Sequence, residues 1–175
     1  MELFPPEIDW FSYLMIFEDG LVKDPPVPTD VDYRIKKPSA AFFDDCCNEF
    51  WFVSTYVAKG LLRDELPYAA WHMEQIAREQ LFNMLSWKIG AESGYGFNNG
   101  KRNKYIKKYL TGEEWDLLMK TYRMDSIEKC WAALAAAHGL FRSASRRVSE
   151  GLGYIYPDYD EKVTEYIGEL KTNSC

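Results

Sequence analysis

The sequence predicts a mainly α-helical fold, a five-helix antiparallel bundle preceded by one isolated β-strand. Three observations favour this fold class. Six of the eight prolines fall within residues 1–38, which separates a non-helical beginning from the rest of the chain. From Ser39 onward apolar residues recur at helical spacing, and start signals divide this part into five segments. Apolar residues make up 47% of the chain, which is enough to fill one ordinary core.

The first 38 residues are predicted to contain one strand and a linker. Residues 10–17 (WFSYLMIF) are aromatic and β-prone, and the Glu18-Asp19-Gly20 segment after them is typical of a hairpin turn. No partner strand follows, because the prolines of residues 21–28 (LVKDPPVP) have no N–H to donate to a sheet. We therefore predict a strand-bearing segment at 1–20, a proline-rich linker at 21–38 and a helical domain at 39–175.

Each of the five helices is predicted from its own boundary signals. The first spans about Ser39 to Arg63, and Pro67 suits the opening turn of the second, which continues to about Gly90. A glycine- and asparagine-rich loop and a basic turn follow. The last three helices are predicted to begin at capping boxes, in which a polar residue is followed three positions later by glutamate: Thr111 with Glu114, Asp125 with Glu128, and Asp158 with Glu161.

Composition excludes several classes of function. The formal net charge of −6 argues against a nucleic-acid partner. No apolar run approaches the roughly 20 residues that span a bilayer, and the beginning of the chain lacks the features of a secretory signal, so we expect a cytoplasmic protein with no membrane partner. The four cysteines form no C-x-x-C pair, which predicts no metal site. Cys46 and Cys47 lie in an apolar helical run and are expected to fill core volume.

The first predicted helix carries the most informative side chains. At 100° per residue its apolar residues cover a wide arc, and six other residues fall on one narrow stripe opposite. We call this the polar stripe: Asp45, Glu49, Phe52, Tyr56, Lys59 and Arg63. Two interpretations remain open at this point, a solvated edge with local ion pairs and a surface that lines a ligand cleft.

A second candidate site is the loop at residues 94–104 (GYGFNNGKRNK). Its glycines permit a ligand to approach the backbone, and Lys101 and Lys104 lie where a helix start would favour anions. The loop is not a Walker A motif, because Gly100-Lys101 is followed by Arg102. Its alternatives are a phosphate site and an exposed connection. His138, in an alanine-rich run, is expected to be a hydrogen-bonded core or interface residue rather than a catalytic base.

Several segments resemble the aminoglycoside 6-adenylyltransferase family in order and spacing. They are residues 1–6 (MELFPP), 10–20 (WFSYLMIFEDG), 43–51 (FDDCCNEFW), 54–61 (STYVAKGL) and 156–161 (YPDYDE). This resemblance implies an amino-terminal nucleotidyltransferase domain of the polymerase-β type and a carboxy-terminal helical bundle, with ATP and streptomycin meeting between them. It also implies Mg²⁺, held by three carboxylates that orient the sugar hydroxyl for attack on the α-phosphate of ATP.

The sequence departs from the family pattern at the catalytic carboxylates. The G-S and D-x-D element is absent from the 175 residues, and the strand that carries the third carboxylate does not follow Gly20. Residues 1–20 are then a remnant strand of the catalytic domain. No catalytic or metal-binding residue can be assigned, and the chain is expected to be inactive alone.

The resemblance favours ligand contact for the polar stripe. From charge and position we then predict aminoglycoside binding by Asp45, Glu49 and Tyr56, and binding of the nucleotide phosphate by Lys59, with Lys101 and Lys104 as further phosphate contacts. The leading hypothesis is a truncated aminoglycoside nucleotidyltransferase of antibiotic resistance. The alternatives are a helical module that binds aminoglycoside or complements a catalytic fragment without catalysis of its own, and a relic that only folds.

Overall fold

The computed structural model describes residue 30 and residues 33–173. This part is mainly helical, as predicted, and contains no strand; the strand predicted at residues 10–17 lies outside the described residues. A π-helical turn, Met73–Ala77, joins two helices without a break, so the described part holds five α-helical segments, with two short 3-10 helices, Lys101–Asn103 and Ile106–Lys108, before the third of them. The helices are α1 (Ala40–Leu62), α2 (Leu66–His72), α3 (Arg78–Ser93), α4 (Gly112–Lys120), α5 (Ile127–Leu152) and α6 (Tyr159–Asn173).

Helix α1 forms the centre of the core and packs against α2, α3, α5 and α6. Ser39 caps it, since its Oγ accepts a hydrogen bond from the backbone N–H of Phe42 at 3.2 Å. Phe50 stacks on Phe141 of α5, with ring centres 3.8 Å apart. The predicted apolar arc is buried along its whole length: Phe43, Cys46, Cys47, Phe50, Val53, Val57, Ala58 and Leu61. The expected core role of both cysteines is therefore confirmed.

The second helical segment begins as predicted, with Pro67 in its first turn, and continues to Ser93, beyond the expected end near Gly90. Directly after the π-helical turn, Arg78 is buried and pairs with Glu74 one turn earlier. Its guanidinium also donates to the side-chain and backbone oxygens of Thr121, at 2.7 and 2.9 Å. Arg78 thus fastens this helix to the end of α4.

The predicted helix starts have different outcomes. Thr111 and Glu114 form the expected capping box, with both reciprocal hydrogen bonds present. The predicted box of Asp125 with Glu128 is wrong: Ser126 is the cap of α5, and Asp125 instead pairs with Lys129. Helix α6 begins at Tyr159, directly after Asp158.

The last residues of the predicted linker lie against the helical domain. Ile35 exchanges backbone hydrogen bonds with Phe97 and Gly96 of the 94–104 loop, and Arg34 forms an antiparallel bridge with Asn98. The Tyr154 hydroxyl donates to the Pro38 carbonyl at 2.8 Å. Residues 33–38 therefore pair with the loop and lead directly into α1.

Candidate substrate cleft

A cleft of about 590 Å³ opens between α1 and α3. Asp45 and Glu49, one turn apart on α1, contribute carboxylates to one wall. The facing wall comes from α3 and carries Gln80, Asn83 and Trp87. The amino-terminal end of the polar stripe therefore lines a cleft.

The two walls are fixed by the core behind them. Cys46, next to Asp45 in the sequence, donates its thiol to the backbone oxygen of Gln80 at 3.5 Å, which ties α1 to α3 at the cleft. Trp87 is half-buried and packs against the core. Phe42, which also lines the cleft, is 67% exposed. The cleft thus combines positioned walls with aromatic surface that remains open to a ligand.

The cleft is negatively charged. Asp45 and Glu49 are its only charged side chains, and no lysine or arginine in the described part of the chain lines it or forms an ion pair with them. Like charges one turn apart repel each other by a few tenths of a kcal/mol, which a bound cation would relieve. The neighbouring amides can bind hydroxyl groups, and aromatic faces attract cations. Such a surface can bind a hydroxylated ligand with ammonium or guanidinium groups.

Tyr56 and Lys59 lie further along α1 and do not line this cleft. Lys59 is about 15 Å along the helix axis from Glu49. The Tyr56 ring packs against His72 of α2, with ring centres 5.4 Å apart, and the Lys59 ammonium lies 5.9 Å from the Tyr56 ring centre and 5.4 Å from that of Tyr166. The structure therefore brings together two of the three predicted aminoglycoside contacts and leaves Tyr56 beside Lys59.

Lys101 and Lys104 lie in the loop that leads to α4. Both are exposed, and the Lys104 ammonium lies 4.9 Å from the Tyr105 ring centre. Lys104 lines a different cavity, on another face of α3. The three lysines predicted to bind phosphate are thus divided between the far end of α1 and this loop.

The YPDYDE segment provides a buried ion pair. Asp160 is 2% exposed and accepts hydrogen bonds from the Arg142 Nε of α5 at 2.6 Å and from the Tyr156 hydroxyl at 3.0 Å. Burial alone would raise its pKa, but Arg142 outweighs that effect, so the pKa of Asp160 lies below its usual value. The neighbouring Tyr159 donates to Asp44 of the FDDCCNEFW segment at 3.4 Å. The two most distinctive segments of the sequence therefore contact each other.

His138 is buried, as expected, but it is not fully hydrogen-bonded. Among residues 33–173 its Nε2 has no hydrogen-bond partner, and neither does the indole Nε1 of Trp51, whose ring centre lies 4.8 Å away. Burial, with a smaller contribution from the Arg142 charge, lowers the pKa of His138 to about 4. At neutral pH the imidazole is therefore uncharged.

Two kinds of site are not found in the described residues. Within 33–173, no group of three or more histidine, cysteine, aspartate or glutamate side chains is arranged to hold a metal ion, so none of them is assigned to Mg²⁺. Over the same range, no helix has the length and apolar character needed to cross a bilayer.

Sequence reasoning missed the second wall of the cleft. Gln80, Asn83 and Trp87 are spaced at i, i+3 and i+7, the spacing of one helix face, and this pattern is present in the sequence. It is a signal that a search for polar and aromatic stripes on the second helix would find. The ion pair of Arg142 with Asp160 has no such signal in the sequence, because the two residues are 18 positions apart and lie on different helices.

Comparison with known proteins identifies the family. A family model described as streptomycin adenylyltransferase matches residues 18–170. The chain belongs to this family. The resemblance noted in the sequence is thereby confirmed.

Curated proteins similar to this chain carry the name aminoglycoside 6-adenylyltransferase. The Bacillus subtilis (strain 168) protein is 44% identical over 199 residues, covering 95% of this chain and 70% of the relative. The Campylobacter jejuni protein is 41% identical over 198 residues, covering 95% and 69%. The Staphylococcus aureus protein is 38% identical over 200 residues, covering 95% and 71%.

A solved structure gives the same assignment. The crystal structure of an aminoglycoside 6-adenyltransferase from Bacillus subtilis has a TM-score of 0.74 and 41% identity, and covers 90% of this chain and 64% of that chain. This chain therefore spans less than two thirds of the solved relative. Each curated match also extends over more positions than the 175 residues of this chain, so the relatives contain internal residues that have no counterpart here.

Proposed function

We propose that this chain supplies the aminoglycoside-binding part of an enzyme that transfers AMP from ATP to an aminoglycoside hydroxyl, in the cytoplasm and in antibiotic resistance. The cleft between α1 and α3 supports this function most directly. Its two carboxylates have no protein cation as a partner in the described part, and it presents amides and aromatic surface to a ligand. Aminoglycosides are polycations rich in hydroxyls and match this chemistry, and the relatives carry aminoglycoside in their names.

We assign roles in the cleft by charge and position. Asp45 and Glu49 bind ammonium or guanidinium groups of the drug, and Gln80 and Asn83 bind its hydroxyls. The ring of Trp87 packs against a sugar face. The drug is thereby held by two helices whose separation is fixed by the core, which orients its reactive hydroxyl.

The remaining predicted contacts concern the nucleotide. Tyr56 extends the drug surface along α1, and Lys59, which is half-buried beside it, contacts the phosphates of ATP. Lys101 and Lys104 are further phosphate contacts from the loop. ATP and Mg²⁺ belong to the intact family enzyme, and no step through the metal is assigned to residues 33–173.

We propose that the 175-residue chain binds the drug but does not transfer AMP by itself. In this proposal residues 1–20 are a remnant of the nucleotidyltransferase domain, residues 21–38 are a linker and residues 39–175 are the substrate-binding bundle. The internal residues that the relatives have in excess support a missing segment. A second function follows from the same features: the chain complements a separate catalytic fragment, or acts as an aminoglycoside-binding module.

Calorimetric titration with streptomycin tests the cleft. The wild-type chain is expected to bind, and Glu49→Lys to bind at least about tenfold more weakly, since one favourable charge contact becomes a repulsion worth about 1.4 kcal/mol or more. Glu150→Lys is the matched control, because it makes the same charge change at an exposed position of α5 outside the cleft. Equal affinities for the Glu49 and Glu150 variants would contradict the cleft assignment, as would the absence of heat with the wild-type chain at millimolar drug.

Transfer of radiolabelled AMP from ATP to streptomycin tests the catalytic part of the proposal. The purified chain with Mg²⁺ is expected to give no labelled product. Turnover that depends on Mg²⁺ would show that the chain contains a complete catalytic site and would overturn the proposed inactivity. Recovery of activity on mixing with a separately expressed nucleotidyltransferase domain would support the complementing module.

A further inference from the structure

The polar stripe of α1 is symmetric about its middle. Its acidic residues lie at one end, its basic residues at the other, and its two aromatic residues between them. The charged residues form two pairs centred on Ser54: Asp45 with Arg63, nine positions to either side, and Glu49 with Lys59, five positions to either side. The aromatic residues complete the symmetry, since they lie two positions to either side. The stripe therefore places opposite charges at equal distances from an aromatic centre.

The stripe also has the spacing of a contact between two helices. Its six residues follow one another in alternating steps of four and three positions, which is the heptad spacing of a coiled-coil seam. From Asp45 to Arg63 it extends about 27 Å along α1. If two such helices lie antiparallel across a two-fold axis at the level of Ser54, each residue faces the one equally far from the centre in the second copy. Every acidic residue of the stripe then faces a basic one.

The charged side chains of the stripe are accessible to a second copy. Asp45 and Arg63 are exposed, and Glu49 and Lys59 are half-buried. In the described part of the chain, no ion pair involves Asp45, Glu49 or Lys59. Arg63 pairs with Glu65 at 3.0 Å, but both side chains are about half exposed, and such a pair adds little to stability. The charges at both ends of the stripe can therefore pair across an interface.

Exposed aromatic surface surrounds the centre of the stripe. The described residues have nine exposed large apolar side chains, and more than half of them belong to the stripe or adjoin it: Phe42, Phe52, Tyr68, Trp71 and Tyr166. The rings form a continuous run in which neighbouring centres are 5.0, 5.4 and 4.9 Å apart: Phe52, Tyr56, His72 and Trp71. Contiguous exposed surface of this kind marks contact sites, and an aromatic centre with a polar rim is typical of protein interfaces.

We propose that two copies of this chain associate through α1 as an antiparallel two-fold dimer. The aromatic residues of the stripe form its centre, and the charged residues pair between copies at both ends: Asp45 with Arg63 and Glu49 with Lys59. A second copy fits better than an acidic or a basic partner, because the stripe carries both signs in equal number and in complementary order.

The dimer uses carboxylates that also line the proposed drug cleft. A second copy on the stripe and a drug in the cleft therefore compete for Asp45 and Glu49. The dimer itself does not rest on the proposed function, and it is measured without drug or nucleotide.

Sedimentation equilibrium of the full chain tests the dimer. The wild type is expected to pass from the mass of one chain to twice that mass between micromolar and millimolar concentration. Glu49→Lys and Lys59→Glu should each raise the dissociation constant at least about tenfold, because each reversal brings like charges together at both ends of the interface. Glu150→Lys is the matched control, since it makes the same charge change at an exposed position of α5. It should dimerise like the wild type.

Two rescue experiments identify the facing residues. The double variant Glu49→Lys/Lys59→Glu has opposite charges across the two-fold axis again and should dimerise like the wild type. An equimolar mixture of the two single variants should form a heterodimer at concentrations where each variant alone is monomeric. Either rescue also shows that the substituted chains are folded.

Three results would overturn the inference. The first is a wild-type chain that stays monomeric at millimolar concentration. The second is a dimer whose dissociation constant is the same in the wild type and in both single variants, which would place the contact on another face. The third is failure of both rescues while circular dichroism shows every variant to be folded. Failure of streptomycin to bind would affect only the proposed function, because the sedimentation experiments contain no drug.

Discussion

Replacing Asp160 by asparagine is expected to destabilise the helical domain strongly. The Asp160 side chain is 3% exposed and that of Arg142 is 33% exposed, so the substitution leaves a largely buried guanidinium opposite a neutral amide. Breaking a buried ion pair on one side costs about 3–5 kcal/mol, and the remaining exposure of Arg142 lowers this to about 2–3 kcal/mol. For a chain of this size the melting temperature should fall by about 4–12 °C.

Urea and thermal denaturation followed by circular dichroism measure this effect. Asp158→Asn is the matched control, because Asp158 makes an exposed pair with Lys162 that contributes at most about 1 kcal/mol. Since the pKa of Asp160 is lowered in the folded state, its contribution is present above the ordinary pKa of 3.8 and is lost as the pH falls through the lowered value. The difference between wild type and Asp160→Asn should therefore narrow below pH 3.8. A difference below about 0.5 kcal/mol at pH 7, or one equal to that of Asp158→Asn, would refute the structural role of the pair.

Two other substitutions probe the fold. Burial lowers the pKa of His138 to about 4, so as the pH falls the unfolded chain takes up a proton before the folded chain does. The free energy of unfolding should therefore decrease by about 3 kcal/mol between pH 6.5 and pH 4. The variant His138→Leu should remove that decrease. Equal pH profiles for wild type and variant in urea titrations would contradict this. Thr111→Ala removes the cap of α4 and should lower the free energy of unfolding by about 1 kcal/mol, whereas Thr111→Ser should leave it nearly unchanged; similar losses in both variants would argue against the cap.

The helical segments could be predicted because their signals are local. The capping box of Thr111 and Pro67 in a first turn depend only on residues a few positions apart, and the structure confirms both. At the start of α5 two residues suited to capping, Asp125 and Ser126, are adjacent, and sequence spacing does not decide between them. Propensity therefore gives the element but leaves its boundary uncertain by one residue.

The candidate site could be predicted only on one side. Helical periodicity placed Asp45 and Glu49 on one stripe, but it does not state which helix faces that stripe. The wall of Gln80, Asn83 and Trp87 depends on tertiary packing of α3 against α1, and the pairing of Arg142 with Asp160 depends on the approach of α5 to α6. Both need contacts between residues far apart in sequence. For the same reason the sequence does not show that Lys59, at the far end of α1, lies apart from Lys101 and Lys104 in the loop before α4.

The π-helical turn Met73–Ala77 gives the second helical segment a place where its length can change without disturbing the cleft. A turn closed by i to i+5 hydrogen bonds holds one residue more than an α-helical turn. Deleting one residue from this turn would restore an ordinary α-helical turn and leave the facing wall of Gln80, Asn83 and Trp87 toward Asp45 and Glu49. A deletion between the turn and Gln80 has no wide turn to absorb it and would rotate that wall by about 100°. The same loss of one codon therefore preserves the cleft at one position and dismantles it a few residues later.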